Sequence, residues 1–387
     1  MKFLPWLLLV YFIIFPFGQL GRIEIGSGVN IHLVDFMAGV IAFLWLITNM
    51  AVGKWNFPKL TRPLISFWVV AAFSLLLGSP FVSNSQLLVG SLYLFRLLIY
   101  IFLYFAIWDF VRKYKWFKGK VLSALLSVGA FIAIFGWVQY LVLPDTRALF
   151  ELGWDDHYFR LVGTFLDPGF TGILIVFFTI FVFTKIWGRA GEWGNWFLLV
   201  FGLSALALTY SRASFLALGV GVITLYIVRR KLMHLIWGIG LLVLAIFLLP
   251  RPGGEGTLLE RTSTVYQRLE NYKQTFEIGM ARPLFGTGFN LYRYSRGDLE
   301  DDIVHSGAGA DSSLLFVFAT TGIAGLSAYL WLWWRIIRIG LERRRTQAGV
   351  LLLSSSAALL LHSVFANSLF YPWVLGWMAV LLGLQED

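Results

Sequence analysis

Between Pro250 and Asp311 the chain gathers seven basic side chains, nine carboxylates and one histidine, His305. The cations are Arg251, Arg261, Arg268, Lys273, Arg282, Arg293 and Arg296. Guanidinium groups hold phosphate oxygens two at a time. A carboxylate or an imidazole can take a proton from a hydroxyl. Asp311, in Ala310-Asp-Ser-Ser-Leu-Leu315, stands where an apolar run begins. There it can cap a helix or face a cavity as a base. Asp298, Glu300, Asp301 and Asp302 precede His305. Such a group suits a divalent cation, although a solvated acidic loop is the better reading.

Three more arginines stand among apolar residues. Arg96, in Ser91-Leu-Tyr-Leu-Phe-Arg-Leu-Leu-Ile-Tyr100, falls inside a hydrophobic run. A charge there is costly and calls for a buried partner or a site. Arg212 lies between two apolar runs and is surrounded by hydroxyls, in Leu208-Thr-Tyr-Ser-Arg-Ala-Ser214. Arg160 begins Arg160-Leu-Val-Gly-Thr-Phe-Leu-Asp-Pro168. Arginines converging on the mouth of a helical bundle would suit a pyrophosphate, whereas local pairing with Asp156 or Asp167 would make them structural. Asp35 and His362 read as helix-end or packing groups.

The elements that carry these residues are helices. Hydrophobic residues make up 58% of the chain and charged ones 13%, against roughly 25% charged in soluble domains. Apolar runs recur from end to end, which predicts an all-α polytopic membrane protein. The runs place spans at 3–20, 31–52, 64–78, 87–110, 121–143, 169–186, 196–209, 213–228, 232–249, 312–334, 348–368 and 371–384. That count of twelve divides the chain into nine spans (1–249), a large extracytoplasmic loop (250–311) and three spans (312–387). The Lys/Arg-rich loops alternate so that all fall on one side, with both termini. That side is the cytoplasm by the distribution of positive charge. The net charge of +10 therefore reflects topology, and no basic patch suits a nucleic acid. With no cysteine, disulfides and thiolate metal sites are excluded. Within the loop, Val265, Leu269, Tyr272, Phe276 and Gly279 recur at helical spacing. They predict an amphipathic helix over 262–280 that lies on the membrane or caps a cavity. Pro283 and the glycines after it predict a turn.

Taken in order, these pieces resemble the O-antigen ligase and O-antigen polymerase superfamily of bacterial membrane glycosyltransferases. Arg160 to Pro168 is similar to its Arg-x-x-Gly-Thr-Phe-x-x-Pro segment, and Leu208 to Ser214 to its Thr-x-Ser-Arg segment. Arg268 with Arg282-Pro-Leu-Phe-Gly-Thr-Gly288 resembles the arginine and Pro-x-x-Gly-x-Gly of its large loop. Asp311 to Leu326 resembles the segment that closes that loop. The resemblance implies a polyprenyl-pyrophosphate-linked glycan donor and a glycan or glycolipid acceptor. It also implies a bacterial plasma membrane location with the active site facing outward, and no metal or other cofactor. Arg212 and Arg268, then Arg160, Arg96 and Arg282, would hold the pyrophosphate. Ligases of the family carry a His-Asn pair where this chain has Asp311-Ser312. Either Asp311 is the base, or His305 reaches in from the loop. The departure points to polymerisation, with ligation to a lipid core or a protein as the alternative. A transporter of a glycolipid or small anion is a second alternative, and a structural scaffold a third. The chain shows no repeat of the kind many transporters carry.

Overall fold

In lipid a backbone must satisfy its own polar groups, so long apolar runs become helices. The computed structural model describes residues 4–24, 30–53, 55–188, 192–230, 232–250, 255–259, 262–296 and 309–385. Its helices are α1 (Leu4–Ile14), α2 (Leu33–Val52), α3 (Thr61–Gly78), α4 (Asn84–Lys113), α5 (Phe117–Val142), α6 (Pro168–Gly188) and α7 (Trp193–Leu208). They continue with α8 (Arg212–Arg229), α9 (Leu232–Phe247), α10 (Ser263–Ala281), α11 (Ser313–Glu342), α12 (Gln347–Phe365) and α13 (Pro372–Gly383). Among the described residues nine segments are long and apolar enough to cross a membrane, and α7 and α13 are shorter apolar helices. The ninth expected span appears as α9, of 16 residues. The chain is a multi-pass helical membrane protein. One short exception to the all-α expectation is a two-stranded antiparallel sheet, β1 (Arg22–Glu24) with β2 (Asn30–His32). Strands of three residues are too short to leave a periodic signal.

The ends of the bundle are chemically unequal. Lys59, Trp108, Glu342, Arg343 and Gln385 line one polar mouth, which gathers the start of α3 with the ends of α4, α11 and α13. Lys120 sits over the rings of Trp6 and Trp116 nearby in sequence to the starts of α1 and α5. Arg160, between the end of α5 and the start of α6, and Arg212, at the start of α8, lie at the opposite ends of their helices' run through the bundle.

The feature that positions that opposite end is a break in α11. Gly322 has φ +64°, so the helix is interrupted inside its apolar length. The interruption leaves carbonyls and amides without helical partners, and the segment 283–288 supplies them. Thr287 and Gly288 donate their N–H groups to Ala319 O (3.0 Å) and Thr320 O (3.1 Å). In return Ile323 donates to Pro283 O (2.8 Å) and Ala324 to Leu284 O (3.2 Å). The hydroxyl of Ser74, on α3, lies 2.6 Å from Phe285 O and 2.5 Å from Thr320 O, where it can serve either carbonyl. Glycine is required on both sides of this junction. A Cβ on Gly286 would stand 2.3 Å from the carbonyl carbon of Thr320, and one on Gly322 2.4 Å from that of Leu284. The turn expected after Pro283 is thus a repair of a helix that lies far from it in sequence.

The amphipathic helix expected over 262–280 is α10. The predicted apolar stripe is split, with its three most apolar members turned outward and only Gly279 fully buried. Val265, Leu269 and Phe276 are exposed, while Thr275 and Gly279 are buried. Gly279 lets α10 approach α11 closely, because a Cβ there would meet the ring of Phe318 at 2.5 Å. Gly322→Val or Gly286→Val should destabilise the protein by about 2 kcal/mol or more from backbone strain alone. Gly219→Ala, where a new Cβ meets nothing within 4 Å, should be neutral. Thermal melting of the detergent-purified variants, read as loss of the monomeric peak, checks this.

Candidate active site

Helices α7 and α8 are joined by three residues, Thr209 to Ser211. So short a reversal requires an unusual backbone, and Tyr210 has φ +50°. Such strain persists only where the surroundings impose it. Here Thr209 Oγ1 accepts from Ser211 N (3.2 Å), Ser211 caps α8, and the Tyr210 hydroxyl donates to Pro250 O. Burial pushes the Tyr210 hydroxyl up to about 12. The segment after Phe159 lies against this turn. Leu161 donates to Leu208 O (2.9 Å), and the buried Arg160 donates through Nε to Thr209 O (3.1 Å).

Arg212 carries the arrangement onto α10. Its Nη1 donates to Leu259 O (3.1 Å) and its Nη2 to Thr264 Oγ1 (2.7 Å). Thr264 lies one turn before Arg268. Arg268 is half-buried, and among the described residues it makes no hydrogen bond or ion pair. Its charge acts on Asp311, Tyr272 and His362. Asn271, three residues on, fixes the chain that leads into α11. Its Oδ1 accepts from Asp311 N (2.9 Å), and its Nδ2 donates to Gly309 O (3.0 Å). Tyr272 donates to Val364 O (2.5 Å), tying α10 to the end of α12. Burial raises Asp311 above the usual carboxylate range, and the Arg268 and Arg296 guanidinium groups hold part of that rise back. The carboxyl is therefore a better proton acceptor than an exposed aspartate, close to two cations.

The structure thus brings Arg160, Arg212, Arg268 and Asp311 into one neighbourhood, through the Thr209–Ser211 turn and the polar side of α10. It does not bring Arg96 there. Arg96 Nη2 pairs with Asp35 Oδ2 (2.9 Å) and donates to Asn30 O (2.6 Å). His32 Nδ1 (3.1 Å) and the Tyr100 hydroxyl (2.9 Å) complete the shell of that carboxylate. Arg96 and Asp35 are a buried ion pair between α2 and α4. Arg282 is also apart, with its guanidinium 3.6 Å from the ring centroid of Phe81. His305 and the acidic group 298–302 lie outside the described residues. His362, fully buried, is held by Ser214 Oγ (Nε2, 3.3 Å) and Ser368 Oγ (Nδ1, 3.1 Å). One group among the described residues has metal-ligand spacing. Asp155, His157 and Asp167 each bring a ligand atom within 4.8 Å of the others. Burial raises Asp167, while the Phe170 amide and the Arg160 charge act the other way.

Asn271, Tyr272 and Arg296 belong to this neighbourhood although the sequence did not single them out as site residues. A signal was available for Asn271: Thr264, Arg268, Asn271 and Thr275 recur at spacings of four, three and four, a polar stripe beside the apolar one.

Residues 197–330 match the family model described as O-antigen ligase, about a third of the chain. The resemblance to the O-antigen ligase and polymerase superfamily is thereby shown for the region that contains Arg212, Arg268, Arg282 and Asp311. No curated protein matches the chain.

Arg212→Ala removes two charge-assisted hydrogen bonds, one to Leu259 O ahead of α10 and one to Thr264 in its first turn, each worth about 1.5–3 kcal/mol. Hydrogen exchange over the first turns of α10 should accelerate by at least about tenfold, since every 1.4 kcal/mol is a factor of ten. Arg282→Ala should leave exchange there unchanged.

Proposed function

We propose that this protein is a glycosyltransferase that moves glycan units from a polyprenyl pyrophosphate to an acceptor at the membrane face opposite its basic loops. The observation that carries the reading is the guanidinium of Arg268 acting on the half-buried Asp311, with Arg212 held to Thr264 one turn earlier on α10 and Arg160 on the turn that precedes Arg212. The basic loops then mark the cytoplasmic side of a bacterial plasma membrane, both termini lie there, and the site faces outward.

In the proposed reaction Asp311 accepts the proton of an acceptor hydroxyl. The freed oxygen forms a new bond to the anomeric carbon from the side opposite the leaving group. The bond from that carbon to the pyrophosphate oxygen breaks, so the sugar is inverted. The departing polyprenyl pyrophosphate takes the negative charge. Arg268 and Arg212, with Arg160 behind them, stabilise that charge as it develops, which is where preorganised cations contribute most. His305 is the alternative base, and Arg96 and Arg282 serve elsewhere. This chemistry uses the chain's own charges and calls on no metal or other cofactor. Asp311-Ser312 in place of His-Asn supports polymerisation, in which the acceptor is a second lipid-linked glycan. The ligase description of the matching family supports the alternative, transfer to a lipid core or a protein.

The test is transfer from a polyprenyl-pyrophosphate glycan by purified protein. Asp311→Asn should reduce turnover by about 10²–10⁴-fold. Arg268→Ala and Arg212→Ala should each reduce it by about 10²–10³-fold. Full activity in Asp311→Asn with loss in His305→Ala would move the base to His305. The pH profile gives a second reading. A base must be deprotonated, so activity falls as pH drops through the Asp311 pKa, which lies above the usual 3.8. Arg268 favours the charged carboxylate, so Arg268→Gln should shift this acid limb upward in pH.

A further inference from the structure

The end of α12 does more than turn the chain towards α13. Links from three elements meet within residues 362–369, and each element carries a residue of the candidate site. Tyr272, on the helix of Arg268, donates to Val364 O (2.5 Å). Ser313, two residues after Asp311, donates through its hydroxyl to Ala366 O (3.3 Å) and accepts from Leu369 N (3.2 Å). Ser214, two residues after Arg212, brings its Oγ to 3.3 Å from His362 Nε2. Helices α8, α10 and α11 thus share one anchor.

The link to α8 runs through an imidazole with a hydroxyl on each side. His362 and Ser214 are both fully buried. Ser214 Oγ stands 2.8 Å from Ser211 Oγ, and Ser211 caps α8, so the pair belongs to the turn that leads into Arg212. Gly172, on α6, leaves that hydroxyl room, because a Cβ there would meet Ser214 Oγ at 2.3 Å. On the other side of the ring, Nδ1 lies 3.1 Å from Ser368 Oγ. A neutral imidazole has one donor and one acceptor, which suits a hydroxyl at each nitrogen. Such a buried chain resists displacement, because breaking it strands polar groups away from water. A hydrocarbon side chain of similar bulk would fill the space and make neither bond.

We infer that His362 is a positioning residue: through Ser214 it holds the Thr209–Ser211 turn, and with it Arg212, in register with Arg268 and Asp311. Its role in turnover rests on the proposed transfer, in which Arg212 meets charge that develops only as the glycosidic bond breaks. Loss of the link therefore lowers turnover more than it weakens substrate binding.

The test separates the two ring nitrogens. In His362→Gln the new amide reaches the place of Nε2 and serves Ser214. In His362→Asn it reaches only the place of Nδ1 and serves Ser368. Turnover of the purified full-length protein on a polyprenyl-pyrophosphate glycan should fall about 10–100-fold in His362→Ala and in His362→Asn, with KM for that donor changed less than about twofold. His362→Gln should restore turnover to within about threefold of the wild type. Adding His362→Ala to Arg212→Ala should cost less than about twofold more, because the histidine acts through that arginine. Ser355→Ala removes another buried hydroxyl of α12, one with no partner among the described residues, and should change nothing. Hydrogen exchange over residues 209–216 is read on the same proteins without substrate. It should accelerate at least about fivefold in His362→Ala and His362→Asn and keep the wild-type rate in His362→Gln and Ser355→Ala. Should His362→Ala speed exchange along the whole chain, Ser214→Ala breaks the same link with a smaller change and takes its place. Full turnover in His362→Ala, equal performance of His362→Asn and His362→Gln, or losses that multiply in the double variant would overturn the inference. A wild-type protein that transfers no glycan would overturn the proposed function instead, and the exchange pattern alone would then decide whether His362 holds the turn.

Discussion

Everything at the end of the bundle that carries Arg212 and Arg268 depends on how the break in α11 is made good. A helix interrupted within apolar surroundings exposes backbone groups that lipid cannot satisfy. The segment 283–288 answers with four backbone hydrogen bonds, two in each direction, across a separation of some thirty-five residues between Thr287–Gly288 and Thr320–Ala324. The close fit of Gly286 against Thr320 and of Gly322 against Leu284 leaves that segment one place to dock. Docking it fixes the end of α10, and Asn271 on α10 then fixes the approach to α11 through Gly309 and Asp311. The Asp311 backbone is therefore held by a side chain of α10, while the Arg268 and Arg296 charges act on its carboxyl.

The arginines follow from a second constraint. A guanidinium with fixed acceptors costs little to keep charged, but one meant for a ligand must keep donors to spare. Arg96 illustrates the first case, with Asp35 and the Asn30 carbonyl around it. Arg212 has fixed acceptors too, since it bridges Leu259 and Thr264 from the first turn of α8. Arg268 illustrates the second: its charge is felt by Asp311, Tyr272 and His362 without a hydrogen bond among the described residues.

Much of this was legible in the residues. The apolar runs gave the helices, because a backbone in lipid has few options. The spans placed at 169–186 and 213–228 begin within one residue of α6 and α8. Arg96 announced a buried partner by its surroundings, and Asp35, near the start of α2, is that partner. What stayed hidden was pairing between distant segments. Nothing local in Pro283–Gly288 says that its amides serve Ala319 and Thr320. The apolar stripe of α10 was visible, yet periodicity alone cannot say whether such a stripe faces protein or lipid. Arg282 was a later candidate than Arg268 for the same task, and the fold sets it against Phe81 instead.

The two faces of α10 have a geometric consequence. Val265, Leu269 and Phe276 are exposed on one side, and Arg268 and Asn271 lie on another. Were the first set to rest on hydrocarbon, α10 would lie along the membrane surface, and its thickness of about 10–12 Å with side chains would set how far Asp311 stands from the apolar layer.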